Sequence, residues 1–269
     1  MKIDSLAFKT ELIFHRFTGI VFEYDDYVVV KTPTNPTYFW GNLIYFKQPP
    51  QEHSFDQWTS LFRDHFATMN VNHMTFAWDS LIGETGMIQP FISDGFSLEK
   101  SSVMVTDNMV LPPKLNPELN VRPIVSEEDW AAVLDNHVAC RADHFDEKAY
   151  RKFAARKIGD YRLMIKKNKG YWMGAFLGTQ LAGDLGIFAE DGLGRFQNVG
   201  THPEFRRQGV CSTLLYHTAV MALEKMNVQK LVIVADPLYH ALKIYESVGF
   251  KTTETFVGMC KYNKSEWVT

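Results

Sequence analysis

Apolar positions along the first hundred residues change period several times, and each change predicts an element. Leu6, Ile13, Phe14 and Phe17 lie near helical spacing and predict a short helix over 4–17. GIVFEYDDYVVVKT, 19–32, is rich in β-branched and aromatic residues on either side of Asp25-Asp26, which predicts two strands joined by a turn. YFWGNLIYF, 38–46, predicts another strand. Ser54 is placed to cap a helix whose stripe is Phe55, Trp58, Leu61, Phe62 and Phe66. A strand at 73–79, a shorter helical piece at about 84–93 and Gly95-Phe96 then lead into the strand SLEKSSVMVTD. The aromatics Tyr38, Phe39, Trp40, Trp58 and Trp78 are read as core rather than as a ligand cage, since such stripes bury themselves.

LPPKLNPELN, 111–120, is proline-rich and aperiodic, and sets the expected boundaries: one domain over 1–112, a linker over 113–119 and a second domain over 120–269. VRPIVSEEDW reads as a strand followed by a helix start, with Ser126 as N-cap. Helices are expected from Trp130 to about Cys140 and from Asp146 to about Lys157. YRLMIKK, GYWMGAFLG, QLAGDLGIFAE and GRFQNVGT then predict four antiparallel strands. After Gly209 an apolar face of Val210, Leu214, Leu215, Ala219, Ala222, Leu223 and Met226 predicts a long helix. KLVIVA, 230–235, fits a strand buried on both faces. Asp236 and Pro237 suit the start of a last helix, Gly249 its left-handed end, and two strands should follow to about Tyr262. Strand, helix, strand, short helix, Gly-Phe, strand thus occurs in both halves, with Gly95-Phe96 recurring as Gly249-Phe250, which suggests an internal duplication.

The chemistry concentrates in VGTHPEFRRQGVCSTLL, 199–215, where a strand, a tight turn and a helix meet. The first N–H groups of a helix lack intrahelical partners and carry the positive end of its dipole, so this start is an anion site suited to phosphate. Gly209 allows close backbone approach, and Arg206 and Arg207 add charge. Residue by residue, Arg206, Arg207, Gln208, Gly209, Val210, Cys211 resembles the acyl-CoA-binding segment of the Gcn5-related N-acetyltransferase (GNAT) superfamily, with Cys211 where that pattern has Gly or Ala. The resemblance implies an α+β fold, a mixed and mostly antiparallel central sheet flanked by helices. It places a GNAT fold in the second half and a degenerate GNAT-like copy in the first. It implies backbone contacts from Val199, Gly200 and Thr201 to the pantetheine arm and acetyl carbonyl. Diphosphate contacts would come from Arg207, Gln208, Gly209, Val210, Cys211 and Ser212, with Arg206 bracing the turn. The equivalent turn of the first half, KQPPQEHS, has two prolines and no arginine, and should not bind a coenzyme diphosphate. That half could close over the acceptor, pack as the second member of a pseudo-dimer, or be an unrelated α+β packing domain.

Composition narrows the partners. Hydrophobic residues are 46% and charged residues 22%, enough for a real core, and the formal net charge is −3 with 28 basic and 31 acidic side chains spread along the chain. That gives no footprint for nucleic acid or an anionic membrane. Cys140, Cys211 and Cys260 have no paired spacing for zinc or a disulfide framework, so a reducing cytoplasm and no metal are expected. The amino terminus lacks the features of a secretory signal.

Acyl transfer from a thioester to an amine needs an unprotonated amine, a polarised carbonyl and a proton for the departing thiolate. By the same resemblance Tyr245, in Ala241, Leu242, Lys243, Ile244, Tyr245, is the candidate proton donor; packing on a helix face is its other reading. No carboxylate lies in QNVGT, so Asp184 on the neighbouring strand is the candidate base, acting through water. Glu190, Asp191 and His202 are weaker choices, and Leu238 stands where the family often has a coenzyme-contacting Asn. Cys211 could accept an acyl group only with a lowered pKa. The function expected is acetyl-CoA-dependent N-acetyl transfer to a primary amine, of a small molecule rather than a protein, by a monomer or homodimer. The alternative is an inactive acyl-CoA-binding sensor or interaction module.

Overall fold

In the computed structural model, which describes residues 1–143, 145–238 and 241–262, helix α1 (Leu6–Thr18) buries Phe8, Leu12, Ile13 and Phe14. Strands β1 (Ile20–Glu23) and β2 (Tyr27–Lys31) flank the Asp25-Asp26 turn as expected, pairing antiparallel with Val21 opposite Val30. The stretch 38–46 differs from the expected single strand. Phe39–Gly41 is a turn of 3-10 helix, and only Leu43–Phe46 (β3) is extended. Asn42 explains the break, because its side chain accepts from Thr32 N and donates to Asn35 O and Tyr38 O, locking a polar corner. Helix α2 (Ser54–Phe66) has His53 at its N-cap position, in the left-handed region at φ 65° and with no side-chain cap, while Ser54 Oγ accepts from Gln51 N. Strand β4 (His73–Trp78), helix α3 (Gln89–Ser93) and strand β5 (Ser97–Thr106) complete the first half.

Contacts divide the chain into two compact units, and the division falls at Val103/Met104 rather than at 112/113. The first unit takes in 1–103, Val234–Pro237 and, among the described residues, 252–262. Its sheet runs β1-β2-β3-β4, antiparallel, antiparallel, parallel, and continues through β11 (Lys251–Tyr262) to β5. β11 pairs antiparallel with β4, from Val257 opposite Trp78 to Tyr262 opposite His73. The two final strands expected from sequence are this single twelve-residue one. Ring stacking fills the core: Phe8 lies on Tyr45 with centroids 3.6 Å apart and Trp58 on Phe46 at 3.8 Å, while Phe62, Phe76, Trp78, Phe91, Val257 and Met259 are buried.

The second unit comprises Met104–Ile233 and Leu238–Lys251. Strand β6 (Leu119–Pro123) leads to helix α4 (Glu127–Ala139), where the Ser126 side chain accepts from Asp129 N as the cap anticipated. Helix α5 (Glu147–Lys166) is longer than predicted and absorbs YRLMIKK. Its buried residues Ala154, Ile158, Tyr161 and Met164 keep a spacing of three or four, which is why the run is helical and not a fourth strand. Strands β7 (Gly170–Leu177), β8 (Gln180–Glu190) and β9 (Leu193–Thr201) form the antiparallel meander, followed by helix α6 (Val210–Lys225) and strand β10 (Lys230–Ala235), parallel to β9. Asp236 and Pro237 lie in a turn, helix α7 is Leu242–Ser247, and residues 239–240 fall outside the described ones. Gly249 takes φ 108° after α7. From β7 to β10 the pairing is antiparallel, antiparallel, parallel, the same succession as β1 to β4, with α6 in the place of α2. The architecture is therefore α+β, mostly antiparallel sheet flanked by helices. Among the described residues no helix is long and apolar enough to cross a membrane.

Candidate functional site

Helix α6 begins at Gly209, whose φ of 76° lies in the left-handed region, and Arg207 two residues earlier also has a positive φ of 64°. The first N–H groups of α6 consequently emerge at a tight corner after β9, and no side chain of Gly209 stands before them. A Cβ at Gly209 would lie 3.1 Å from Lys114 O, so both conformation and space call for glycine. The segment expected as a linker causes this closeness. Ser212 Oγ donates to Lys114 O at 2.8 Å, Asn116 N donates to Thr213 Oγ1 at 2.9 Å, and Asn116 Nδ2 donates to Gln208 O at 2.9 Å. Residues 114–116 form a strap pinned to the start of α6.

A cavity of about 910 Å³ opens on this helix start. Val199, Gly200, Thr201, Arg206, Arg207, Gly209, Val210, Cys211 and Ser212 line it, as does Tyr245 of α7. Of the ten residues expected to hold the coenzyme, Gln208 is absent from this lining; its side chain turns back to donate to Glu204 O. Arg206 Nε reaches Thr201 O at 3.5 Å. Pro112, Pro113, Lys114 and Cys140 also line the cavity. Sequence reasoning missed these four, because proline-rich spacing reads as a tether and Cys140 is brought in only by the packing of α4.

Strand β9 carries an irregularity beside the cavity. Asp184 is opposite Gly200, but Gly186 is opposite Gln197, so β9 holds one more residue than β8 over this step, and Asn198 takes φ 47°. This is a β-bulge, which bends the strand just before the residues that line the cavity.

Behind the bulge, Asp184 is fully buried and accepts three hydrogen bonds: from Asn136 Nδ2 at 2.6 Å, His137 Nε2 at 3.1 Å and Trp172 Nε1 at 2.9 Å. Asp184 is not among the residues lining the cavity. Glu190 pairs with Lys169 at 3.0 Å, Asp191 sits at φ 50° in the hairpin, and His202 Nδ1 accepts from Glu204 N. Leu238 is 93% exposed.

Burial favours the thiol form of both cysteines of the cavity. Burial pushes Cys211 up to about 12, and burial followed by the nearby Asp184 charge pushes Cys140 upward. The cause at Cys211 is desolvation of the thiolate by burial. Cys140 Sγ lies 3.3 Å from Thr201 O and 3.6 Å from Asn136 Oδ1, two acceptors that share its single S–H donor.

In the first unit the turn before α2 has a left-handed corner similar to that at Gly209. His53 adopts φ 65°, ψ 0°, close to the φ 76°, ψ 8° of Gly209. Pro49 and Pro50 occupy the approach, with Met87 N donating to Pro50 O at 2.7 Å and Gly86 packed against both prolines.

Comparison with known proteins agrees with this geometry. Residues 130–250 match the model of the acetyltransferase (GNAT) family. Over 92% of this chain and 95% of the other, the fold is similar to a functionally unknown conserved protein from Staphylococcus epidermidis, with a TM-score of 0.74 at 16% identity. A GCN5-related N-acetyltransferase from Kribbella flavida is similar over 94% of this chain and 93% of its own, with a TM-score of 0.66 at 12% identity. A tandem GNAT protein from the clavulanic acid biosynthesis pathway matches over 82% and 75%, with a TM-score of 0.53 at 12% identity. No curated protein matches the sequence.

Proposed function

We propose, from the match of residues 130–250 to the GNAT-family acetyltransferase model, that the protein transfers the acetyl group of acetyl-CoA directly to a primary amine of a small-molecule acceptor. The observation that carries the reading is the opening of the α6 start, with its glycine corner and two arginines, onto a cavity that also reaches β9 and Tyr245. The residues fit the group. The N–H groups of Gly209 to Ser212 with Arg207 would hold the diphosphate, and Val199 to Thr201 would flank the pantetheine arm. Acetyl-CoA supplies the activated acyl thioester. N–H groups of β9 beyond the bulge polarise its carbonyl, and the Tyr245 phenol gives a proton to the thiolate as it leaves.

Direct transfer rather than an acyl-enzyme is supported by the two cavity thiols, which burial pushes toward the protonated form. Among the described residues lining the cavity there is neither a carboxylate nor a histidine. The rate at low amine concentration should therefore follow the free-base fraction of the acceptor, rising about tenfold per pH unit below the amine's own pKa. A plateau near pH 6–7 would instead reveal a protein base.

Calorimetry with acetyl-CoA, followed by thiol release in the presence of a panel of amines, tests the proposal. Binding with turnover supports transfer, and absence of binding removes it. Binding without turnover by any amine favours the second reading, a coenzyme-binding sensor. That reading draws on the exposed Leu238 and on the enclosure of Asp184.

A further inference from the structure

The buried group around Asp184 has more polar content than packing of β8 against α4 requires. One carboxylate collects an amide from Asn136, an imidazole from His137 and an indole from Trp172, and the same Asn136 offers its Oδ1 to Cys140. These side chains come from α4, β7 and β8, and all are buried except Cys140, which lines the cavity. Burying so many polar atoms is favourable only when each is paired, so the group is rigid and its members fix one another's positions.

Its location is specific. Asp184 is the last β8 residue in register with β9 before the bulge, directly opposite Gly200. A Cβ at Gly200 would lie 3.3 Å from Asn136 Nδ2 and 3.8 Å from Cys140 Sγ, so the bare backbone of β9 rests on this amide. One residue further, Thr201 O accepts from Cys140. The bulge is therefore supported from behind at two consecutive residues, both on the cavity wall.

We infer that Asn136 and Asp184 are positioning residues that set the β9 bulge, and so aim its N–H groups at the thioester carbonyl. The inference rests on the acyl-CoA reading of the cavity. Neither residue touches the acyl group; each acts through the backbone of Gly200 and Thr201. The diphosphate turn lies beyond His202 in the chain and meets this network through Arg206, which reaches Thr201 O and sits beside Cys140, whereas Asn136 and Asp184 do not line the cavity.

The test uses reversal of the pair. Asn136→Asp sets two carboxylates against each other and Asp184→Asn sets two amides against each other. The double variant N136D/D184N restores one donor and one acceptor with their places exchanged, and leaves an amide oxygen for His137 and Trp172. The readout is the infrared carbonyl stretch of acetyl-CoA labelled with carbon-13 at the carbonyl, recorded bound to the full chain, beside its dissociation constant and that of CoA. In the wild type the band should lie below its position in free solution. Each single variant should return it toward the free value, lower kcat by 10-fold or more where turnover is seen, and change the CoA dissociation constant less than 3-fold. The double variant should recover the shifted band.

A band unmoved by the single variants, or an unshifted band in the wild type, overturns the inference while leaving coenzyme binding in place. Failure of the wild type to bind acetyl-CoA overturns the functional reading instead. If a single variant unfolds, Asn136→Ser, which shortens the side chain without adding charge, carries the same expectation of a lost band shift. An unchanged band in that folded variant also overturns the inference.

Discussion

At Gly209 two demands coincide: the backbone takes a left-handed φ, and the carbonyl of Lys114 passes close to where a side chain would begin. Gly209→Ala should lower stability by about 1 kcal/mol, the usual cost of a left-handed alanine. Gly209→Glu adds negative charge in front of the free amides. It should abolish acetyl-CoA binding by calorimetry while far-ultraviolet circular dichroism stays native. Undiminished affinity would remove the turn as the diphosphate site. Tyr245 is 5% exposed yet borders the cavity. Tyr245→Phe keeps its packing and deletes the phenol, so kcat should fall by at least tenfold with little change in acetyl-CoA affinity. Equal turnover would return Tyr245 to a purely packing role.

Helix α4 depends on local electrostatics that can be titrated. Arg122 grips Asp129 with two hydrogen bonds of 2.6 and 2.8 Å, and its guanidinium stacks 3.8 Å from the Phe176 ring centroid. The hydrogen bonds from Arg122 hold the Asp129 carboxyl below its ordinary value of 3.8. A depressed folded value means the pair contributes fully above about pH 4 and is lost as pH falls through the folded value. Urea midpoints should therefore decline below pH 4, and Arg122→Met should flatten that part of the profile. Ser126→Ala should cost about 1 kcal/mol at neutral pH by removing the cap. Elements of this kind, with a cap and a regular apolar stripe, were legible in the sequence: α4, α6, β10 and the corner at Gly209 all stand where the pattern put them. The pattern misled where two periods compete. YRLMIKK alternates well enough for a strand, but Ile158, Tyr161 and Met164 share a helix face that only the buried side of α5 reveals. The network behind β9 was illegible because its partners lie 47 and 48 residues apart in the chain, and no spacing rule connects an amide on one helix with a carboxylate on a strand.

On the scale of the whole molecule, the repeated succession of strand pairings in the two halves fits the duplication suggested by Gly95-Phe96 and Gly249-Phe250. The first half has a left-handed corner at His53, preceded by Pro49, Pro50 and Gln51, where the second half has Gly209 preceded by Arg206 and Arg207. Its sheet also takes a strand from the far end of the chain, since Val257, Met259 and Cys260 of β11 are buried against β4. A chain ending at Gly249 should leave Phe76 and Trp78 without that cover, so limited proteolysis should cut within residues 1–103 far faster than in the full-length protein. Equal resistance would show that β11 adds nothing to the first unit. The same strand sets a timetable for synthesis. At ordinary elongation rates roughly 10–30 s separate the emergence of β5 from that of β11. Throughout that interval the nascent first half exposes the edge of β4, and a chaperone that shields unpaired strand edges has its opportunity there.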